Sequence, residues 1–93
     1  MSRDLEKAAQ WYEKAAIQGH PEAKYNLAVM LWNAEGVARN VAKAQRLLVE
    51  SAESGEVSAI RVLAESFERG HFGFSVDPSR AGYWRRKYEE SIS

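Results

Sequence analysis

An all-α repeat fold is predicted, and three observations predict it. The sequence matches itself when shifted by 36 residues: Lys7-Ala8 falls on Lys43-Ala44, Ala16 on Ala52, Gly19 on Gly55, Ala23 on Ala59 and Leu27-Ala28 on Leu63-Ala64. Apolar residues recur at helical spacing, with no strand-like alternation. Gly and Pro punctuate the periodic runs at repeating positions. A further copy follows with one extra residue in its loop, so that Lys43-Ala44 falls on Arg80-Ala81 and Leu47 on Trp84.

About five helices follow in order. The first, 4–18, carries Leu5, Ala8, Tyr12, Ala15 and Ala16 at helical spacing, and Gly19 stands where a left-handed C-cap is needed. The second, 21–34, opens with Pro21 at a first helical position and carries Ala23, Leu27, Met30, Leu31 and Ala34. The third, 41–54, ends at Gly55. The fourth spans 57–69. The fifth, 78–91, has Asp77 as its N-cap and Pro78 at its first turn. Short loops cover 35–40 and 70–77. Residues 1–93 therefore read as one domain: a leading half repeat (4–19), a full repeat (20–55), and a full repeat with a C-terminal capping helix (56–93).

Composition narrows the function. Thirteen basic and 13 acidic residues give a formal net charge of zero, with no basic surplus for nucleic acid or an anionic membrane surface. There is no cysteine, hence no disulfide framework and no thiolate metal site. The N-terminal run lacks the apolar core of a signal peptide, and no stretch approaches 18 apolar residues. The expectation is a cytoplasmic protein, with a periplasmic or lumenal setting left open if the chain is part of a longer one. His20 and His71 lie beside Gly19 and Gly70 in turns, and no His or acid cluster has metal-ligand spacing. The Gly70-His71-Phe72-Gly73-Phe74 run follows a helix, unlike a phosphate-cradling loop, and its phenylalanines are expected to tuck against the last two helices. No catalytic residue, cofactor or metal is expected.

The residues Lys7-Ala8, Trp11-Tyr12-Glu13-Lys14-Ala15-Ala16, Gly19, Ala23, Tyr25, Leu27, Gly36-Val37 and Lys43-Ala44 follow one pattern. It resembles that of the Sel-one-like repeat family, relatives of the tetratricopeptide repeats. Ala28 and Ala64 depart from it where the family usually has glycine, Ala34 where it has the first loop glycine, and Asn40 where it has an acid. The resemblance implies a right-handed α-α solenoid of antiparallel helix pairs, two full repeats plus a leading half repeat, acting as a protein-binding adaptor or scaffold.

The two ends differ. On the last helix, Arg85 and Glu89 replace the apolar Tyr12/Leu48 and Ala16/Ala52 positions, as suits a capping helix. Helix 4–18 matches a second helix of a unit whose first helix is absent from the sequence. Either the chain is a piece of a longer repeat protein, or this edge packs on another molecule; Leu5 and Trp11 mark it as a candidate for self-association, which would make a homodimer.

A groove is expected on the first helices of the units. Tyr25, Val29 and Trp32 lie opposite the Ala23, Leu27, Leu31 stripe, and the repeat offset places them on Arg61, Glu65 and Glu68. Charged residues resist unpaired burial, so this side is expected to face water in both units. An exposed apolar strip of this kind marks a binding site. The alternative is that Tyr25 and Trp32 are core residues under helix 4–18 or a loop. The resemblance extends the groove to Glu22, Tyr25, Val29, Trp32 and Asn33, followed by Ser58, Arg61, Glu65, Glu68 and Arg69. The partner expected there is a peptide or helix of another protein. A structural or oligomerising role and an immunity-type or inhibitory role are the alternatives.

Overall fold

The structure, a computed structural model, describes residues 3–93. Five helices follow one another: α1 (Arg3–Ile17), α2 (Pro21–Asn33), α3 (Val41–Glu53), α4 (Val57–Arg69) and α5 (Pro78–Ile92). The expected boundaries are met to within a residue; the first three helices stop one residue earlier, where the chain tightens into its turn. Each helix packs antiparallel against the next. Packing is most extensive within the pairs α2–α3 and α4–α5, and looser at α1–α2 and α3–α4. The result is a right-handed helical stack with extents of 39 × 24 × 17 Å.

Alanine sets the closeness of the helices. Ala28, Ala44, Ala59 and Ala64 are fully buried, and the leucines Leu27, Leu48 and Leu63 fill the space between them. All of these but Ala64 belong to one continuous core running through both units. The buried Ser51 hydroxyl donates to the Pro21 carbonyl at 2.7 Å, which ties α3 to the start of α2 without leaving a polar atom unsatisfied.

The helix ends repeat as faithfully as the core. Asn40 caps α3 by accepting from the Lys43 amide at 3.0 Å, and Asp77 caps α5 by accepting from the Arg80 amide at 3.1 Å. The backbone N–H of each cap donates back to the preceding helix, Asn40 to the Leu31 carbonyl at 3.2 Å and Asp77 to the Phe67 carbonyl at 2.9 Å. Asn40 therefore does the capping work of the acid whose place it takes. Gly19 and Gly55 have the left-handed φ expected of them. The ends of α2 and α4 also turn left-handed: Gly70 does so at φ 73°, but its counterpart Ala34 does so at φ 56° despite its Cβ.

Candidate functional site

The loop between α4 and α5 shapes the site. Its extra residue is identified by what the loop glycines touch. A Cβ on Gly36 would overlap the Leu5 carbonyl, and a Cβ on Gly73 would lie 2.9 Å from Val41 Cγ1, on the residue equivalent to Leu5. Gly36 and Gly73 are thus counterparts, and Phe72 is the inserted residue. Phe72 sits at φ 57°, a conformation that bulky residues avoid. Burial holds it there. Its ring is buried and stacks on Trp32 with centroids 4.9 Å apart and planes 19° from parallel. The Gln45 amide donates to the Phe72 carbonyl at 3.2 Å, fastening the loop to α3.

This geometry corrects two expectations. Phe74 does pack on α4, against Phe67 with centroids 4.9 Å apart, but Phe72 reaches back to α2 in the preceding unit. Tyr25, Val29 and Trp32 are half-buried, so they do not form a fully open strip, and Tyr25 and Trp32 lean on the core. The reason is the insertion: a side chain that the first unit's loop does not possess comes over Trp32 from the second. The Arg39 guanidinium also lies over the indole, 4.4 Å from the ring centroid. Arg39 is exposed and belongs to a loop, and such a cation–π contact is worth about 0.5–1 kcal/mol, so a ligand can displace it.

The charged counterparts are partly exposed and paired. Arg61 and Glu65 meet at 3.3 Å along α4, and Glu68 accepts from Arg85 of α5 at 2.6 Å. The Arg85 hydrogen bond holds the Glu68 carboxyl below its ordinary pKa, and the same bond raises that of Arg85.

Not all of the expected groove residues come together. Trp32 and Glu65 border one hollow of about 560 Å³ with Val62, His71, Phe72 and Gly73. Glu22 lies apart, in a hollow of about 570 Å³ at the opposite ends of the helices, with Trp11, Tyr12, Asn26 and Glu56. Asn33 is exposed and donates to Glu35 at 3.3 Å; Arg69 is exposed, and Ser58 is half-buried. Leu5 is exposed, and Trp11 strongly so. Sequence reasoning left Phe72, Val62, His71 and Gly73 out of this hollow, and Arg39 out of the contacts on Trp32. The signal for Phe72 was its place in the lengthened loop, an aromatic between two glycines where the shorter loop has none.

Chemistry is sparse. Among the described residues, no group of three or more His, Asp or Glu side chains could hold a metal ion. Among the same residues, no helix is long and apolar enough to cross a membrane.

A family model for the Sel1 repeat matches residues 1–20, 21–56 and 57–87. The chain belongs to the Sel1 repeat family. Sel1 repeats form non-catalytic helical scaffolds that generally mediate protein–protein interaction. The solved structure of a Sel1 repeat protein from Oxalobacter formigenes superposes with a TM-score of 0.88 and 27% identity, over 95% of this chain and 35% of that one. A curated relative, chitin synthase regulatory factor 3 of Schizosaccharomyces pombe, is 33% identical over 82 residues. Those residues are 88% of this chain and 9% of that protein, so the Sel1 repeats here correspond to a small part of a much longer relative.

Proposed function

We propose that the protein is an adaptor that holds a peptide or helix of another protein in the groove along α2 and α4. The observation that carries this reading is the hollow beside Trp32: two stacked aromatic rings form its apolar wall, and Glu65 stands at its rim. An incoming apolar side chain would rest against the rings. Polar backbone groups beside it would meet Glu65 and His71. Large aromatic anchors in partly walled pockets dominate the affinity of such contacts. Tyr25, Val29, Asn33, Arg61, Glu68 and Arg69 would frame the groove, and Glu22 would bind only a segment long enough to reach the other end of α2.

The test is a displayed peptide library selected on the intact protein, with the winners titrated against Trp32→Ala and Glu65→Lys. Loss of about tenfold or more in affinity for both variants is expected. Thermal melts run alongside keep folding and binding apart, and Glu65→Lys tests the groove even if Trp32→Ala unfolds. Peptides that bind both folded variants as well as the parent chain would place the interface elsewhere.

A further inference from the structure

The hollow beside Trp32 is selective in shape, because two of the protein's own side chains already lie on the indole. Phe72 is stacked on it, 19° from parallel with centroids 4.9 Å apart, and the Arg39 guanidinium lies 4.4 Å from the ring centroid. The protein thus supplies for itself the stacked ring that a partner's aromatic residue would offer. Phe72 holds this place at φ 57°, which its Cβ disfavours, and burial of the ring offsets the cost of that backbone. The floor of the hollow differs from this wall. Ser66 lies there, at the position that Met30 holds in the first unit. Met30 is 7% exposed, so its chain is packed away, whereas serine leaves the space that a thioether would take. The Ser66 hydroxyl donates to the Val62 carbonyl of its own helix at 2.7 Å and needs no polar partner from a ligand. Val62 adds apolar surface beside it. At the rim, Glu65 carries the only carboxylate among the lining residues, and Arg61, its partner at 3.3 Å, lies outside the lining. An ion pair as exposed as this one is weak, and a cation brought by a ligand can take it over.

We infer that the hollow takes a methionine side chain of the partner segment, with a lysine or arginine beside it. Methionine is long, unbranched and flexible enough to fill an irregular space down to Ser66, and its polarizable sulfur gains from contact with the edges of aromatic rings. A planar ring from the partner finds its stacking place on Trp32 held by Phe72. Valine and isoleucine are stiff at the first side-chain bond and adapt poorly to such a space. The basic neighbour meets Glu65 at the rim. Phe72 and Ser66 therefore set the shape of the anchor, and Glu65 sets the charge next to it. This preference rests on the groove reading proposed above.

The test selects a displayed random peptide library separately on the parent protein and on Phe72→Ala, with Phe72→Leu as a second variant that keeps an aliphatic wall if the first unfolds. The winning peptides are then titrated by fluorescence anisotropy with the anchor residue changed among methionine, leucine and phenylalanine. On the parent, the methionine peptide should bind about tenfold or more tighter than the phenylalanine one. With the Phe72 ring removed, phenylalanine should gain about tenfold on methionine, because its ring takes the vacated place on Trp32. Ser66→Met, confirmed as folded by its thermal melt, should weaken the methionine peptide about tenfold or more by filling the floor. Glu65→Gln should erase the advantage of the basic neighbour. Peptides that need Trp32 but bind the parent equally well with methionine or phenylalanine would overturn the choice of anchor and leave the groove standing. So would a preference that both Phe72 variants leave unchanged. Winners indifferent to both Trp32 and Glu65 would overturn the groove and the anchor together.

Discussion

Replacing Ala34 by glycine should stabilise the protein, because it removes one unfavourable backbone conformation and almost nothing else. Ala34 ends α2 at φ 56°, where an L-residue with a Cβ is disfavoured by about 1–2 kcal/mol. Its side chain is exposed, so loss of the methyl forfeits little burial. The capping bond from its backbone N–H to the Met30 carbonyl does not involve the side chain. Glycine's greater freedom in the unfolded chain offsets about 0.4–1 kcal/mol of the gain. The net stabilisation is about 0.5–1 kcal/mol, equivalent to a rise of roughly 2–8 °C in melting temperature for a domain of this size. The counterpart supplies the control. Gly70 holds the same conformation at the end of α4, and a Cβ there would lie 3.3 Å from the terminal methyl of the exposed Val76 side chain, which can yield. Gly70→Ala should therefore lose about what Ala34→Gly gains, and the double variant should melt close to the parent. Urea and thermal unfolding followed by circular dichroism decide the matter. If Ala34→Gly is neutral or destabilising while Gly70→Ala costs stability, the two helix ends are not equivalent and the reasoning fails.

Two further outcomes are expected. Phe72→Ala should destabilise by about 3 kcal/mol through loss of its buried ring, and Phe72→Gly should be about 1 kcal/mol less harmful because it releases the left-handed backbone; equilibrium unfolding in urea should show that order, and the reverse order would contradict the balance of strain against burial. The Glu68–Arg85 pair should matter at neutral pH and fade in acid: hydrogen bonding to Arg85 depresses the carboxyl pKa on folding, so its contribution is complete above the ordinary glutamate value of about 4.3 and is lost as pH falls through the lowered one. The melting-temperature gap between the parent and Arg85→Gln should be small, because the pair is exposed, and should narrow below about pH 4; a gap that stays constant down to about pH 2 would show that Arg85 acts through packing instead.

The site was less legible than the fold, and the residues show why. Arg61, Glu65 and Glu68 occupy the positions of Tyr25, Val29 and Trp32 one repeat later and so point to an open face. That transfer holds only while the surroundings repeat. At Trp32 they do not, since one inserted residue carries Phe72 across the unit boundary onto the indole. At Trp11 the surroundings also fail to repeat: Leu47, its counterpart on α3, is buried, whereas Trp11 lies exposed.

Helix number, order, caps and core were decided by the amino-acid sequence, because each depends on neighbours a few positions away. Asn40 and Asp77 start helices through amides three residues on, and the Ala–Leu spacing marks a buried face whatever lies against it. The tertiary structure alone decided which aromatic meets which and how open the groove is. Contacts such as Trp32–Phe72 and Glu13–Lys43, which joins α1 to α3 at 3.0 Å, link residues 30 or more positions apart. Their geometry depends on the stacking of whole helices and on loop length, and no local propensity encodes it.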